Sequence, residues 1–335
     1  MIRARMPALL PVLARLPSAG RVRGFLAGLP QRGSRRLSEH LHRMADRLAG
    51  LPTGSLAAPA LPGAGHPAPA PGQEAAGPAP SLAAARAAWT DRLWEDGYLL
   101  PGGAAEIQRL SGLLPLSPAT TLLLVGRDAG GAAATIVAQR GAWVAAHQHD
   151  PQLAERMAAR LRPIGRRVAI LPWSPAAPAF RPQYHHHALA LEPTAGGGSL
   201  ATLAPALAAA LTPEAQLVLL DLTLGAAAAA HRPALDRWLA LEGRAGPPPA
   251  QPAAEAAIKA AGFQLHVAED AGPRHCAAVT EGWARLIGAV RRQGQRTPRA
   301  DALALITEAE VWLLRHRLLT AGAIGLVRWH ATLRR

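Results

Sequence analysis

The amino-acid sequence predicts an α/β protein built around a doubly wound, mostly parallel β-sheet. Short apolar runs that fit buried strands alternate along the chain with segments of helical spacing. One of these runs, residues 122–125, is followed by a glycine-containing turn at 126–131 and a small apolar helix at 132–140. A second apolar run at 142–146 completes a strand–turn–helix–strand unit, which is typical of the first half of a nucleotide-binding sheet.

The turn after the first strand is a candidate ligand cradle. Gly126 and Gly131 occupy the outer positions of a G-x-G-x-x-G pattern, but Asp128 stands where the middle glycine is expected. After the second strand, where such folds usually carry an acid for the ribose hydroxyls, the sequence has Gln148. Asp150, two residues later, is either a substitute for that acid or the N-cap of the next helix. The proline that follows it favours the cap.

The rest of the chain continues the alternation of helices and strands. Ser81 is a plausible N-cap for a helix that runs to about residue 96, and a second helix at 104–113 leads into the first strand. The further predicted strands are 166–173, 187–194, 215–222, 263–269 and 323–333. The further predicted helices are 151–161, 200–211, 253–261, 276–292 and 302–321.

Composition divides the chain into three parts. Residues 1–50 contain ten arginines against two acids, a net charge of +8 out of +14, and suggest short basic helices. Residues 51–80 are rich in Pro, Ala and Gly, and we predict a disordered linker there because such a tract cannot build a core. Residues 81–335 are long enough for one large core and form the predicted α/β domain.

The basic N-terminal arm has two interpretations. It is a solvated arm, which we favour, or it makes a weak contact with an anionic membrane. The nucleic-acid signal is weak, because Phe25 is the only aromatic residue of the arm and stacking partners are scarce.

Composition and absent motifs exclude several classes of protein. The single Cys276 excludes an internal disulfide and a zinc site built from cysteines. No apolar run reaches the roughly 18 residues of a transmembrane helix, so we predict a cytoplasmic protein. His185, His186 and His187 are adjacent and cannot easily converge on one ion, so we predict no metal site. A G-x-S-x-G elbow and a P-loop lysine are both missing, which leaves hydrolase and nucleotide-triphosphatase functions without support.

Several stretches give the sequence a resemblance to a known family. Residues 121–151 resemble the first motif of class I S-adenosylmethionine-dependent methyltransferases, and LWEDGYLLPGG at 93–103 resembles the lead-in segment of a bacterial small-molecule subgroup. AAGFQLHVAED at 260–270, EGW at 281–283 and residues 308–331 resemble the late core of the same subgroup. The resemblance implies a Rossmann-like sheet of seven strands in the order 3-2-1-4-5-7-6, with the last strand antiparallel and helices on both faces.

The resemblance also implies a cofactor, S-adenosylmethionine, and a small-molecule methyl acceptor. Methyl transfer from a sulfonium requires an aligned donor and acceptor more than a dedicated nucleophile, so no residue is assigned as catalytic. The candidate cofactor contacts, at the carboxyl ends of the strands, are Gly126, Asp128, Gly130, Gly131, Gln148, Trp173 and Ser174. The candidate substrate contacts are Trp94, Tyr98, Glu192, Asp221, His275 and Trp283.

The sequence therefore predicts an S-adenosylmethionine-dependent methyltransferase that acts on an unidentified small molecule. Asp128, Gln148 and the three consecutive histidines depart from the family pattern. They favour the alternative of a catalytically degenerate binding or scaffolding protein with the same fold. A nicotinamide-dependent oxidoreductase has less support, because no set of hydride-transfer residues is visible. The acceptor and the oligomeric state are not assigned.

Overall fold

The computed structural model of the chain describes residues 82–293 and 299–334. The predicted arm at 1–50 and linker at 51–80 lie outside the described residues. The described residues divide into two units, one comprising residues 82–88, 289–293 and 299–308, the other comprising residues 89–288 and 309–334. The described part of the first unit is helical, and Arg86 forms an ion pair with Glu308 within it. The second unit contains the sheet and every predicted site residue.

The sheet has the predicted strand order. Its seven strands are β1 (Thr121–Gly126), β2 (Trp143–Gln148), β3 (Val168–Pro172), β4 (His185–Leu191), β5 (Leu211–Leu224), β6 (Phe263–Asp270) and β7 (Ile324–Leu333). They lie in the order β3-β2-β1-β4-β5-β7-β6. β1 pairs in parallel with β2 and β4, and β7 pairs antiparallel with both β5 and β6. The predicted fold class, including the antiparallel last strand, is confirmed.

The helices largely follow the predicted bounds. They are α1 (Leu82–Trp94), α2 (Gly103–Ser111), α3 (Gly131–Arg140), α4 (Pro151–Leu161), α5 (Leu200–Ala210), α6 (Arg232–Glu242), α7 (Gln251–Ala260), α8 (Gly272–Gln293) and α9 (Arg299–Thr320). The sequence did not predict α6, although it begins with a proline in its first turn and buries Leu235, Trp238 and Leu239 at helical spacing. β5 begins four residues earlier than predicted, because Leu211 already pairs with His185 before a shift in register.

The two faces of the sheet carry separate hydrophobic clusters. Along β1, Leu122 and Leu124 belong to one cluster while Leu123 and Val125 belong to the other, as the two-residue period of a strand requires. The first cluster includes residues of α2, α3, α4, α6 and α9, and the second includes residues of α5 and α7. Burial on both faces explains why the central strands are nearly continuous apolar runs.

The connection from β3 to β4 differs from the usual crossover because residues 173–184 contain no helix. Trp173 and Phe180 of this proline-containing segment pack against the second cluster instead. The ring centroids of these two residues lie 6.0 Å apart. This segment therefore keeps the residues that follow β3 against the face of the sheet.

Candidate functional site

Several of the predicted site residues lie along the edge of the sheet where β1, β2 and β4 end. Gly126 is the last residue of β1, Gln148 is the last residue of β2, and Glu192 directly follows β4. In open α/β sheets this edge, at the point where the strand order reverses, is where ligands bind.

The first residue of the turn must be glycine for a structural reason. Gly126 has a φ of 110°, and a Cβ built on it would collide with the carbonyl oxygen of Leu191. The backbone N–H of Arg127 donates to that same carbonyl at 2.6 Å. Gly126 thus allows the turn to lie directly against the end of β4.

Asp128, which replaces the expected middle glycine, binds the first turn of α3. Its Oδ1 accepts hydrogen bonds from the N–H groups of Gly130 at 3.0 Å and Ala132 at 2.9 Å, and its Oδ2 accepts one from Ala133 at 3.3 Å. The side chain therefore satisfies amide groups that are otherwise unpaired at a helix N-terminus. Burial raises the pKa of Asp128 to about 6, although these hydrogen bonds favour the charged form.

The lead-in segment before α2 engages the other donors of the turn. The carbonyl of Gly97 accepts hydrogen bonds from the N–H groups of Ala129 at 3.1 Å and Gly131 at 3.0 Å. A Cβ on Gly131 would lie 2.8 Å from the carbonyl carbon of Gly97. With Asp128, this contact satisfies all five backbone N–H groups of residues 129–133 within the chain.

Gln148 joins the end of β2 to the same turn. Its Nε2 donates to the carbonyl of Asp128 at 2.9 Å, and its Oε1 accepts from the N–H of Asp150 at 3.0 Å. The carboxylate of Asp150 accepts from the N–H groups of Gln152 and Leu153 and caps α4. The interpretation of Asp150 as an N-cap is therefore confirmed.

The structure brings most of the predicted cofactor residues together. The turn after β1 contains Gly126, Asp128, Gly130 and Gly131, and Gln148 at the end of β2 is hydrogen-bonded to it. Trp173 and Ser174 follow β3, two strands away from β1. Trp173 packs edge-on against His149, with ring centroids 6.1 Å apart. Its indole N–H is buried and has no hydrogen-bond acceptor in the described part of the chain.

Glu192 lies in a buried network of charges at the end of β4. Its side chain is fully buried, and Arg315 of α9 binds both of its carboxylate oxygens, one of them at 3.0 Å. Arg244 lies 3.4 Å and Arg127 3.7 Å from the same carboxylate. Glu242 pairs with Arg244 at 2.9 Å. We call these five residues, Arg127, Glu192, Glu242, Arg244 and Arg315, the arginine–glutamate cluster.

The cluster holds both of its acids in the charged form. Burial alone would raise the pKa of Glu192, but the guanidinium groups of Arg315, Arg127 and Arg244 outweigh burial and hold that pKa well below its usual range. The same three arginines lower the pKa of Glu242 in spite of its burial. Glu192 is therefore a charged group that is fully engaged by protein cations.

Four of the five cluster residues were not among the predicted site residues. The sequence offered one signal for them, which is that Arg315 directly follows an apolar run in α9. In the structure the Arg315 side chain is completely buried. A buried arginine requires an acidic partner. Its partner Glu192, however, is 123 positions away along the chain.

Asp221 lies inside β5 rather than at its end. It is fully buried and accepts hydrogen bonds from the hydroxyl of Thr194 at 2.8 Å and from the N–H of Leu222 at 2.8 Å. Burial raises the pKa of Asp221 to about 6, and the positive charge of Arg244 acts in the opposite direction. Asp221 thus holds the segment that follows β4.

Two of the remaining predicted substrate residues pack against an aromatic ring, and two have other surroundings. Trp94 and His275 both pack against Trp312 of α9, with ring centroids 4.8 Å and 6.0 Å apart. Tyr98 forms a hydrogen bond to the hydroxyl of Thr135, and Trp283 is buried in α8. The guanidinium of Arg315 lies 5.3 Å from the Trp312 ring centroid and connects this group to the arginine–glutamate cluster.

The three consecutive histidines have separate surroundings. The Nδ1 of His186 accepts from the N–H of Thr121 at 3.1 Å, the Nδ1 of His187 accepts from the N–H of Gln216 at 3.2 Å, and His185 packs against Tyr184. Among the residues described, no group of three or more His, Cys, Asp or Glu side chains is arranged to hold a metal. None of the helices within the described ranges is long and apolar enough to cross a membrane.

Comparison of the whole chain with known proteins identifies its fold. No protein-family model matches the sequence, and no curated protein matches it. Solved structures do match. Phosphoethanolamine N-methyltransferase 2 of Haemonchus contortus has 13% identity and a TM-score of 0.65. A putative sarcosine dimethylglycine methyltransferase of Galdieria sulphuraria has 13% identity and a TM-score of 0.59. The chain has the fold of class I methyltransferases.

The extent of these similarities differs. The match to the Haemonchus protein covers 76% of this chain but only 58% of that one, whereas the Galdieria match covers 74% and 98%. A third match, the cyclase SpnF, has 15% identity and a TM-score of 0.52 over 71% of this chain and 86% of SpnF. The same fold therefore occurs in proteins whose names describe different reactions.

Proposed function

We propose that this chain is an S-adenosylmethionine-dependent methyltransferase that acts on a small molecule. The observation that carries the proposal is the sheet order, because β7 inserted antiparallel between β5 and β6 is shared with methyltransferases. The Haemonchus protein was crystallised with S-adenosylhomocysteine and with S-adenosylmethionine. When bound, this cofactor supplies an electrophilic methyl group.

The residues after β1, β2 and β3 are those that would hold the cofactor. Trp173, which follows β3, packs edge-on against His149, which follows β2, so the ends of these two strands lie close together. Gln148 stands at the position where such folds bind a ribose, and Asp128 lies at the glycine turn where the amino-acid end would approach. These residues would orient the ligand.

A second candidate function is a binding or scaffolding protein that no longer uses the cofactor. The specific observation in its favour is that the backbone donors of the glycine turn are already bound by Gly97 and by the carboxylate of Asp128. A ligand that needs these donors has to displace the lead-in segment first. Glu192, at the end of β4, is likewise engaged by arginines.

Calorimetric titration with S-adenosylhomocysteine, repeated with NADH, tests the proposal. We expect saturable binding of S-adenosylhomocysteine alone. Gln148→Ala should weaken that binding by about tenfold, because it removes the side chain that ties the turn to β2. The matched control is Gln152→Ala, which changes an exposed glutamine one turn away and should leave the affinity unchanged.

Each other outcome of the titration has a defined meaning. Binding of neither ligand would contradict the methyltransferase proposal and favour the second candidate. Binding of NADH alone would favour an oxidoreductase. Equal loss of affinity in Gln148→Ala and Gln152→Ala would refute the location of the cradle, because only the first side chain contacts the turn.

A further inference from the structure

A cavity of about 810 Å³ opens on the other half of the same sheet edge. The carboxyl end of β5, the amino end of β7, the carboxyl end of β6 and the first turns of α8 line it. β5 is two strands away from β1, so the cavity is distinct from the glycine turn. Its volume lies in the range of sites that hold small molecules.

The lining of the cavity has an unusual charge for this protein. The chain carries 36 Lys and Arg residues against 22 acids, yet within the described ranges no Lys, Arg or His lines the cavity. The polar side chains among them are Thr223, Gln251, Asp270, Cys276 and Thr320. The apolar part comes from residues such as Leu224, Leu319 and Ile324. The cavity thus joins an apolar wall to a single carboxylate.

Asp270 is available to a ligand. Its Oδ1 accepts a hydrogen bond from the N–H of Gly272 at 2.8 Å, and no ion pair to Asp270 occurs among residues 82–293 and 299–334. The neighbouring Glu269, by contrast, pairs with Arg274 and Arg328, whose side chains are absent from the cavity lining. The arginines of this region are therefore engaged by the other acid.

We propose that this cavity binds a small organic cation with an apolar body, such as a primary or methylated amine, and that Asp270 is its counter-ion. A carboxylate without a protein cation attracts an ammonium group, and the surrounding apolar wall buries the carbon atoms of the ligand. A phosphate ester of the kind bound to the Haemonchus protein would meet no cation among the lining residues that the structure describes. This inference does not depend on the proposed methyl transfer.

Cys276 provides a direct test, because it is the only cysteine of the chain and it lines the cavity. The full chain is labelled with two methanethiosulfonate reagents of similar size, one carrying a trimethylammonium group and one carrying a sulfonate. Each rate is divided by the rate of the same reagent with the neutral thiol 2-mercaptoethanol at the same pH, because the two reagents differ in intrinsic reactivity. Burial raises the pKa of the Cys276 thiol, and this slows both reagents equally. We expect the cationic reagent to react about tenfold faster after this correction.

The variants assign the effect to the cavity. Asp270→Asn should abolish the preference for the cationic reagent, whereas Asp236→Asn, an exposed acid on α6, should leave it unchanged. The net charge of +14 favours the anionic reagent on average, so a preference for the cation has to arise locally. Equal corrected rates in the wild-type chain would overturn the proposal, and this result needs no variant to fold.

Protection by a ligand completes the experiment. Benzylamine should slow the labelling of Cys276 in the wild-type chain and not in Asp270→Asn, and phenyl phosphate should give no protection. Protection by phenyl phosphate, or protection by benzylamine that survives Asp270→Asn, would overturn the assignment of Asp270 as the counter-ion. Neither result depends on S-adenosylhomocysteine, so failure here is distinguishable from failure of the proposed function.

Discussion

Glu192→Gln should be the most informative single substitution in the sheet domain. The change keeps the shape of the side chain and removes its negative charge from a site with no solvent exposure. Arg127, Arg244 and Arg315 would then face Glu242 as their only remaining acid in the arginine–glutamate cluster. Arg315 would lose the carboxylate that binds two of its nitrogen atoms.

The expected loss of stability is large because the remaining guanidinium charges stay buried. Removing one partner of a buried ion pair costs about 3–5 kcal/mol, since an uncompensated charge is left in a poorly solvated site. For a domain of this size each kcal/mol lowers the melting temperature by about 2–4 °C. Glu192→Gln should therefore lower the melting temperature by roughly 10 °C.

The control for this prediction is Glu310→Gln on the same helix as Arg315. Glu310 pairs with Arg237 at 2.7 Å, and the Arg237 side chain is 57% exposed. A pair of this kind contributes at most about 1 kcal/mol, because water screens it. Urea denaturation of both variants at pH 7 measures the difference. Equal free energies of unfolding for the two variants would refute the burial of charge on which the prediction rests.

Three further predictions concern single positions. Gly126→Ala should destabilise the fold by about 2 kcal/mol or more in urea denaturation, because its Cβ would collide with the Leu191 carbonyl at a left-handed φ. A free energy of unfolding equal to that of the wild type would refute the close approach of the turn to Leu191. Asp128→Asn should become more stable relative to wild type as pH rises from about 4 to 6, because the folded chain keeps the Asp128 proton up to a pKa of about 6 whereas the unfolded chain releases it near pH 4. A constant difference would contradict this. Gly282→Ala should cost about 1–3 kcal/mol, because its Cβ would overlap the indole of Trp94, and a thermal melt measures it.

The pH prediction for Asp128 has to be separated from the buried histidines. Burial lowers the pKa of His185 and His187 to about 4. Below about pH 6.5 these histidines bind protons in the unfolded chain but stay neutral in the folded chain. They therefore lower the free energy of unfolding as pH falls. Asp128 acts in the opposite direction over an overlapping range. Only the difference between the free energies of unfolding of wild type and Asp128→Asn, taken at each pH, isolates the contribution of the Asp128 carboxylate.

Much of the fold was predictable because it depends on local patterns. The apolar run of β1, the glycine turn after it and the Asp-Pro start of α4 all depend on neighbouring residues. The order of the strands came from the resemblance to a family and not from those patterns. The helix α6 was missed because its polar residues and the alanine run before it weaken its apolar period.

The site was less predictable because its contacts join distant parts of the chain. Glu192 directly follows β4 as predicted, whereas Asp221 lies inside β5, which continues to Leu224. Their partners Arg315 and Thr194 depend on how helix and sheet pack. The hydrogen bonds from the glycine turn to the carbonyl of Gly97 were equally unpredictable, because every residue has a backbone carbonyl and the residue type does not reveal which one accepts. The sequence therefore predicted which edge of the sheet carries the site, but it did not predict the hydrogen bonds and ion pairs that connect the segments there.

The departures from the family's glycine motif are explained by these bonds. Asp128 replaces a glycine and in return caps α3, while Arg127 beside it reaches Glu192 and Glu242. The turn after β1 and the end of β4 are thereby joined by side chains as well as by the Arg127 backbone. A cofactor that occupied this edge would have to bind while these contacts persist, or exchange them for its own. Titration of S-adenosylhomocysteine against Arg127→Met distinguishes the two: tighter binding in the variant would mean that the contacts compete with the ligand, and weaker binding would mean that they hold the turn in the form that binds it.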